Sequence, residues 1–155
     1  PSNMKKQFKT FEEVKACVGQ DVAISDWTTV TQSQINMFAD ATNDHQWIHI
    51  DKEKAAAGPF GTTIAHGFLT LSLLPNFFES AYANDQTRMG INYGLNKVRF
   101  TSPVPVDSRL RGHLHLLACE DIEPKGIQMT WKVTVERDGS DKPVCVAESV
   151  VRHYA

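Results

Sequence analysis

The sequence lacks any long apolar run. Its longest strongly apolar stretch, Phe68 to Leu74, falls far short of the roughly 20 residues that a membrane-spanning helix needs. The first residues, PSNMKKQ, carry no apolar core of the kind that marks a secretion signal. Charge of one sign is equally scarce: 16 lysines and arginines against 18 aspartates and glutamates leave a formal charge of -2, and no global field to attract a polyanion. Neither nucleic acid nor a membrane is therefore expected as a partner. Cysteine is sparse as well. Cys17, Cys119 and Cys145 are odd in number, far apart and set inside apparently regular elements, so they read as small core residues and not as a disulfide framework. Reduced thiols and the missing signal point to the cytosol. Biased tracts, repeats and linkers are absent, and 155 residues with 41% apolar and 22% charged content predict one domain, 1–155, with a real core.

What is present divides into a helical first half and a strand-rich second half. Thr10 with Glu13, and Thr31 with Gln34, are capping-box pairs that open two helices. Gly19 is expected to end the first. In the second, Ile35, Phe38 and Ala39 fall on one side at the helical period. A third helix is predicted from Asp51 as N-cap through KEKAAA, stopped by Gly58 and Pro59. HGFLTLSLLPNFFESAY then presents Phe68, Leu69, Leu71, Leu73, Leu74, Phe77 and Phe78 with no clean polar face, the pattern of a buried central helix. Pro75 inside it would cost about 3 kcal/mol in a straight helix, so a bend is expected between Leu71 and Pro75. Downstream, GIQMTWKVTVER alternates faultlessly, with Ile127, Met129, Trp131, Val133 and Val135 on one face. RLRGHLHLLA, PVCVAESVVRHY and LNKVRF add strands, and DGSD at 138–141 is a turn. The whole predicts an α+β domain in which an antiparallel sheet covers one buried helix.

The titratable chemistry is concentrated in DATNDHQWIHID, residues 40–51, where Asp40, Asp44 and Asp51 sit with His45 and His49, two of the chain's six histidines. Three readings of this segment stand side by side. His45 and His49, four apart, would share a helical face and could hold a metal, although no thiolate lies near and the glutamate of a zinc-protease motif is missing. Asp44 could simply cap a turn while His49 is a satisfied, partly buried ring. Or Asp44 and His49, converging across a bend, could hold a water and move its proton near neutral pH. The last reading needs a donor for developing negative charge. Gly67, at the predicted start of the central helix, offers a free backbone N–H and close approach.

The segments FADATNDHQWIHID and IAHGFLTLSLL together resemble the MaoC-like, (R)-specific enoyl-CoA hydratases, in their nodulation-protein-N-like branch. The family pattern is an aromatic, small residues, Asp, a spacer, an apolar residue and His, then Ala or Ser; Phe38, Asp44, Ile48, His49 and Ala55 fill those places. The likeness continues loosely through NYGLNKVRFTSPVPVDSRLRG and covers the chain from about residue 20 onward. It implies a hot-dog fold, and hydration of a trans-2-enoyl thioester of coenzyme A or an acyl-carrier protein to the (R)-3-hydroxyacyl product, or the reverse. Asp44 and His49 would grip the water, the Gly67 N–H would hold the thioester oxygen, and Gln46 and His66 would support them. No metal or other cofactor is implied, and the protein is expected to be a homodimer or a dimer of dimers.

The chain also departs from the pattern. Gln46-Trp47 replaces the usual Asn-Pro, and Pro75 stands where some hydratases carry a serine, with Ser72 as a weak substitute. A thioesterase, or a non-catalytic acyl-thioester-binding protein, are the alternative functions. His66 is expected to bond backbone and fix its turn. His113 and His115, alternating with Arg109 and Arg111, read as a solvated face, while Lys97 and Arg99 could meet the phosphates of coenzyme A. If Pro75 shapes an acyl tunnel, Pro75→Ala will change the relative rates on enoyl thioesters of graded chain length; an unaltered preference would contradict that role.

Overall fold

The computed structural model describes residues 5–155. In chain order its elements are β1 (Lys6–Phe8), α1 (Phe11–Lys15), β2 (Asp21–Ile24), β3 (Thr28–Thr29), α2 (Gln32–Thr42), α3 (Trp47–Ile50), α4 (Lys52–Ala56), α5 (Gly67–Ser72), α6 (Leu74–Ala81), β4 (Tyr82–Asn84), β5 (Met89–Arg99), β6 (Arg109–Ile122), β7 (Gly126–Arg137) and β8 (Cys145–Tyr154). Both capping boxes form: the Thr10 and Thr31 hydroxyls each accept the backbone N–H three residues on, and the Glu13 and Gln34 side chains reach back. Asp51 caps α4 by accepting from the Lys54 N–H at 3.0 Å. Gly19 lies beyond the helix it was expected to end. α1 stops at Lys15, and Gly19 takes a left-handed φ of 88° in the following turn, where its N–H donates to the Leu116 carbonyl at 2.7 Å.

A six-stranded sheet runs in the order β2-β6-β7-β8-β5, with β3 also paired to β6; all its pairings are antiparallel. β1 and β4 form a separate parallel pair. The period of two in β7 is realised: Ile127, Met129, Trp131, Val133 and Val135 are buried, and the residues between them are not. That apolar face receives the helices, with α5 against β8 and α6 against β6 and β2. A sheet curved around a helix is the hot-dog arrangement. Phe77 of α6, fully buried, rests on Gly112 of β6, where an added Cβ would come within 3.0 Å of the Phe77 Cβ. Glycine therefore sets how closely helix and sheet approach.

The central helix breaks where proline demands. α5 ends at Ser72, Leu73 is the junction, and Pro75 falls in the first turn of α6, where its missing N–H has no helical partner to lose. Burial is one-sided within a single chain. Leu69, Leu74, Phe77 and Ala81 face the sheet, whereas Phe68 is 66% exposed. β5 is also longer than its sequence pattern suggested, beginning at Met89. As a sheet edge it bonds only β8, and Met89, Ile91, Tyr93 and Leu95 remain exposed along it. Replacing Phe77 by alanine should lower unfolding free energy by about 3–5 kcal/mol in a denaturant titration, since the helix would lose its main anchor to the sheet; a loss below about 1 kcal/mol would contradict that role.

Candidate active site

The crowded segment lies in the bend between α2 and α4. α2 cannot continue past Asn43, which takes a left-handed φ of 60°, a conformation asparagine tolerates. The Asp44 N–H still closes back on the Ala39 carbonyl at 3.1 Å, and α3 begins three residues later with Gln46 as its N-cap. A second segment, 63–66, runs in from the far side of α4. Its Ile64 N–H donates to the Ile48 carbonyl at 3.0 Å, and its Ala65 N–H to the Val104 carbonyl at 2.8 Å. Gln32, in the first turn of α2, joins the two segments: its amide donates to the His49 carbonyl at 2.8 Å and accepts from the Thr63 hydroxyl at 2.6 Å.

These constraints bring Asp44, His49 and His66 together, with one potential ligand atom from each lying within 4.8 Å of the others. His49 is 6% exposed and His66 2%. The His49 Nδ1 lies 2.7 Å from the Ile64 carbonyl oxygen. A carbonyl only accepts, so Nδ1 carries the hydrogen and the neutral ring keeps a lone pair on Nε2. His66 is pinned the other way round, its Nε2 donating to the Asp44 backbone carbonyl at 3.0 Å. The two rings stack with centroids 3.8 Å apart and planes 22° apart, and Phe38 packs against His66 at 4.9 Å. Burial holds the His49 imidazole below its ordinary value of 6.5; the Ile64 carbonyl opposes that, the neighbouring His66 adds to it, and Asp44 opposes it. A neutral ring beside an exposed carboxylate can accept both hydrogens of a water molecule. The same three side chains are also the group that could hold a metal ion.

The metal pair suggested by spacing does not meet. His45 precedes the N-cap of α3 while His49 lies within that helix, and His45 Nε2 pairs instead with Asp40 at 2.9 Å. Asp44 also behaves partly as a turn residue, accepting from the Gln46 N–H at 3.4 Å. Gln46 itself is exposed. Trp47 takes up the room that its neighbours leave: its indole lies over Gly58, where a Cβ would come within 3.0 Å, and Lys54 Nζ stands 5.6 Å from the ring. Gly67 opens α5 directly after His66, and the space a side chain would fill is occupied by the Phe100 ring, 2.9 Å from an ideal Cβ. The glycine thus has a packing reason of its own. Ser72 donates to the Phe68 carbonyl at 2.7 Å, so its hydroxyl serves the helix.

Away from the bend, His113 and Arg111 share Glu136, His115 pairs with Asp21, and Arg109 with Asp138, which is the solvated face expected of them. Lys97 and Arg99 are exposed on β5. No local pattern signals Gln32, Thr63 or the Ile64 carbonyl, since their partners are brought near only by the tertiary fold.

A sequence profile of the MaoC-like domain matches residues 13–138. The 3-hydroxyacyl-thioester dehydratase Z of Mycobacterium tuberculosis is 54% identical over 150 residues, covering 97% of this chain and 99% of its own length. Nodulation protein N of Rhizobium leguminosarum is 48% identical over 138 residues, covering 87% and 85%. Among solved structures, an R-hydratase of Pseudomonas aeruginosa in its unliganded form shares the fold at a TM-score of 0.67 and 24% identity, over 88% of this chain and 81% of that one. With the profile spanning most of the chain and a relative this similar along nearly its whole length, the protein belongs to the MaoC-like dehydratase family of hydro-lyases.

Proposed function

We propose that this chain adds water across the double bond of trans-2-enoyl thioesters, presented on coenzyme A or an acyl-carrier protein, to give (R)-3-hydroxyacyl thioesters, and runs the reverse dehydration. The observation that carries the reading is the convergence of Asp44 and His49 from across the bend at 44–49. The names of the relatives, a hydroxyacyl-thioester dehydratase foremost, support the same chemistry. In hydration, the Asp44 carboxylate and His49 Nε2 accept the two hydrogens of a water. Its oxygen bonds to C3 as one proton passes to the pair. Charge moves onto the thioester oxygen, where the Gly67 N–H, outside the helical ladder at the start of α5, donates to it. The pair then returns a proton to C2, so the catalyst ends each cycle as it began. Gln46 and His66 support the loop that carries the pair. The thioester itself acidifies C2, and the scheme calls on no metal or other cofactor.

The acyl chain has a candidate course along the central helix. Gly67 meets Phe100 at one end of β5, and further along a cavity of about 330 Å³ is lined by Leu71, Leu74, Pro75, Tyr93, Leu95 and Ser149. Pro75 in that lining agrees with a role in chain selection. The exposed β5 edge with Met89, Ile91, Tyr93 and Leu95, beside the open Phe68, supports a homodimer that joins the two sheets there. The three free cysteines agree with a reducing, cytosolic setting.

Incubation with crotonyl-CoA tests the reading directly. Loss of enoyl absorbance is the expected result, whereas release of free thiol would identify a thioesterase and no change a binding protein. Asp44→Asn and His49→Ala should each lower kcat by roughly 10²- to 10⁴-fold with the fold retained, and near-wild-type rates in both would remove the assignment. The pH profile has a definite sign. Because burial disfavours the imidazolium, His49 stays neutral to lower pH than a free ring, so the acid limb of kcat/KM should have its midpoint below 6.5 and vanish in His49→Ala; a midpoint above 6.5 contradicts this. Sedimentation at micromolar concentration should give twice the chain mass, or four times it for a dimer of dimers, and a monomer would exclude the β5 pairing.

A further inference from the structure

His66 is used in an unusual way for a residue that opens a helix. Its backbone carbonyl accepts from the Leu69 and Thr70 N–H groups at 3.1 and 3.2 Å, so it fixes the first turn of α5. Its side chain does not cap that helix. The ring turns toward the bend instead, where Nε2 donates to the Asp44 backbone carbonyl and one ring face lies on His49. Phe38 packs against the same ring. The remaining nitrogen, Nδ1, is buried and has no hydrogen-bond partner.

We propose that His66 is the positioning residue of the hydratase site: one side chain, anchored at the mouth of α5, sets the place of both catalytic groups, Asp44 through its backbone carbonyl and His49 through its ring face. The proposal rests on the reading of Asp44 and His49 given above. Its physical content is a three-way link. The Gly67 N–H follows His66 in the chain, the Asp44 carbonyl is bonded to its ring, and the His49 ring is stacked on it, so the donor and the acid/base pair share one reference point. Asp44 needs such a tether because it is exposed, lying in the bend just past the left-handed residue that ends α2. His49 already has Ile64 on Nδ1, which fixes one edge of the ring, and a stacked neighbour restricts rotation about that edge. Displacing a reacting group by about 1 Å can cost up to about 10²-fold in rate, which is the scale on which this link acts.

The link separates into two halves by substitution. His66→Gln keeps an amide donor within reach of Asp44 but removes the stacking face, and His66→Phe keeps the face but removes the donor. On crotonyl-CoA each should lose about 10-fold in kcat, and His66→Ala about 100-fold, with KM within about threefold of wild type and thermal melts showing a folded protein. In an Asp44→Asn/His49→Ala background, His66→Ala should change the residual rate by less than about twofold, because what it positions is gone. Wild-type kcat in a folded His66→Gln and His66→Phe pair would overturn the proposal. So would a loss confined to KM, or an undiminished loss in the double-variant background, which would mean that His66 acts on its own. A wild-type protein that fails to hydrate crotonyl-CoA would sink the hydratase reading itself, a result distinct from an active wild type indifferent to residue 66.

Discussion

Two backbone carbonyls fix which edge each of the two imidazoles at the bend presents. Ile64 takes the hydrogen of His49 Nδ1 at 2.7 Å, and Asp44 takes that of His66 Nε2 at 3.0 Å. Because a carbonyl cannot donate, the bonded nitrogen of each ring carries a hydrogen, and the opposite nitrogen is left outside that bond. For His49 the opposite atom is Nε2, the acceptor that the proposed water activation would use. The remaining architecture keeps those bonds in place. The capping box at Thr31 starts α2 with Gln32 in its first turn, Gln32 spans from the His49 carbonyl to Thr63, and segment 63–66 is held to Ile48 and Val104.

The sheet and central helix give that bend something rigid to stand on. α5 begins at the site and α6 ends deep in the core, with Phe77 seated on Gly112. The break at Leu73 lets one face of the helix follow the curved sheet while Pro75 costs no hydrogen bond, and it leaves Pro75 lining the cavity beside β5. The helix break and the cavity lining thus meet in the same few residues. Phe68 and the apolar residues Met89, Ile91, Tyr93 and Leu95 of the β5 edge are left open in a single chain, the surface on which the proposed pairing rests.

Much of this was legible from residue order, for physical reasons that differ between elements. The period of two in β7, both capping boxes and the proline break are local effects, set by neighbours within a few residues. The Asp44 and His49 spacing was legible because a short bend is itself local. Gly19 was misplaced since the turn it occupies is held by Leu116, a residue of another strand. The start of β5 at Met89 escaped because an edge strand with exposed apolar residues on the chain's own surface has no alternation to read. The His45–His49 metal pair failed for a topological reason: α3 begins only after its N-cap Gln46, so His45 lies outside the helix that carries His49 and helical periodicity does not connect them. His66 was named as a support on the strength of the resemblance, and it does bond backbone, but its stacking on His49 and the clamp made by Gln32 come from contacts 17 to 31 residues apart in sequence, beyond any local pattern.

Everything at the bend turns on His49 being a neutral ring with its hydrogen on Nδ1 and a lone pair on Nε2. Nitrogen-15 chemical shifts of the His49 ring, read in the folded protein at neutral pH, report this without reference to any substrate. The account predicts a protonated, pyrrole-like Nδ1 and an unprotonated, pyridine-like Nε2. A ring protonated on both nitrogens, or carrying its only hydrogen on Nε2, would contradict it.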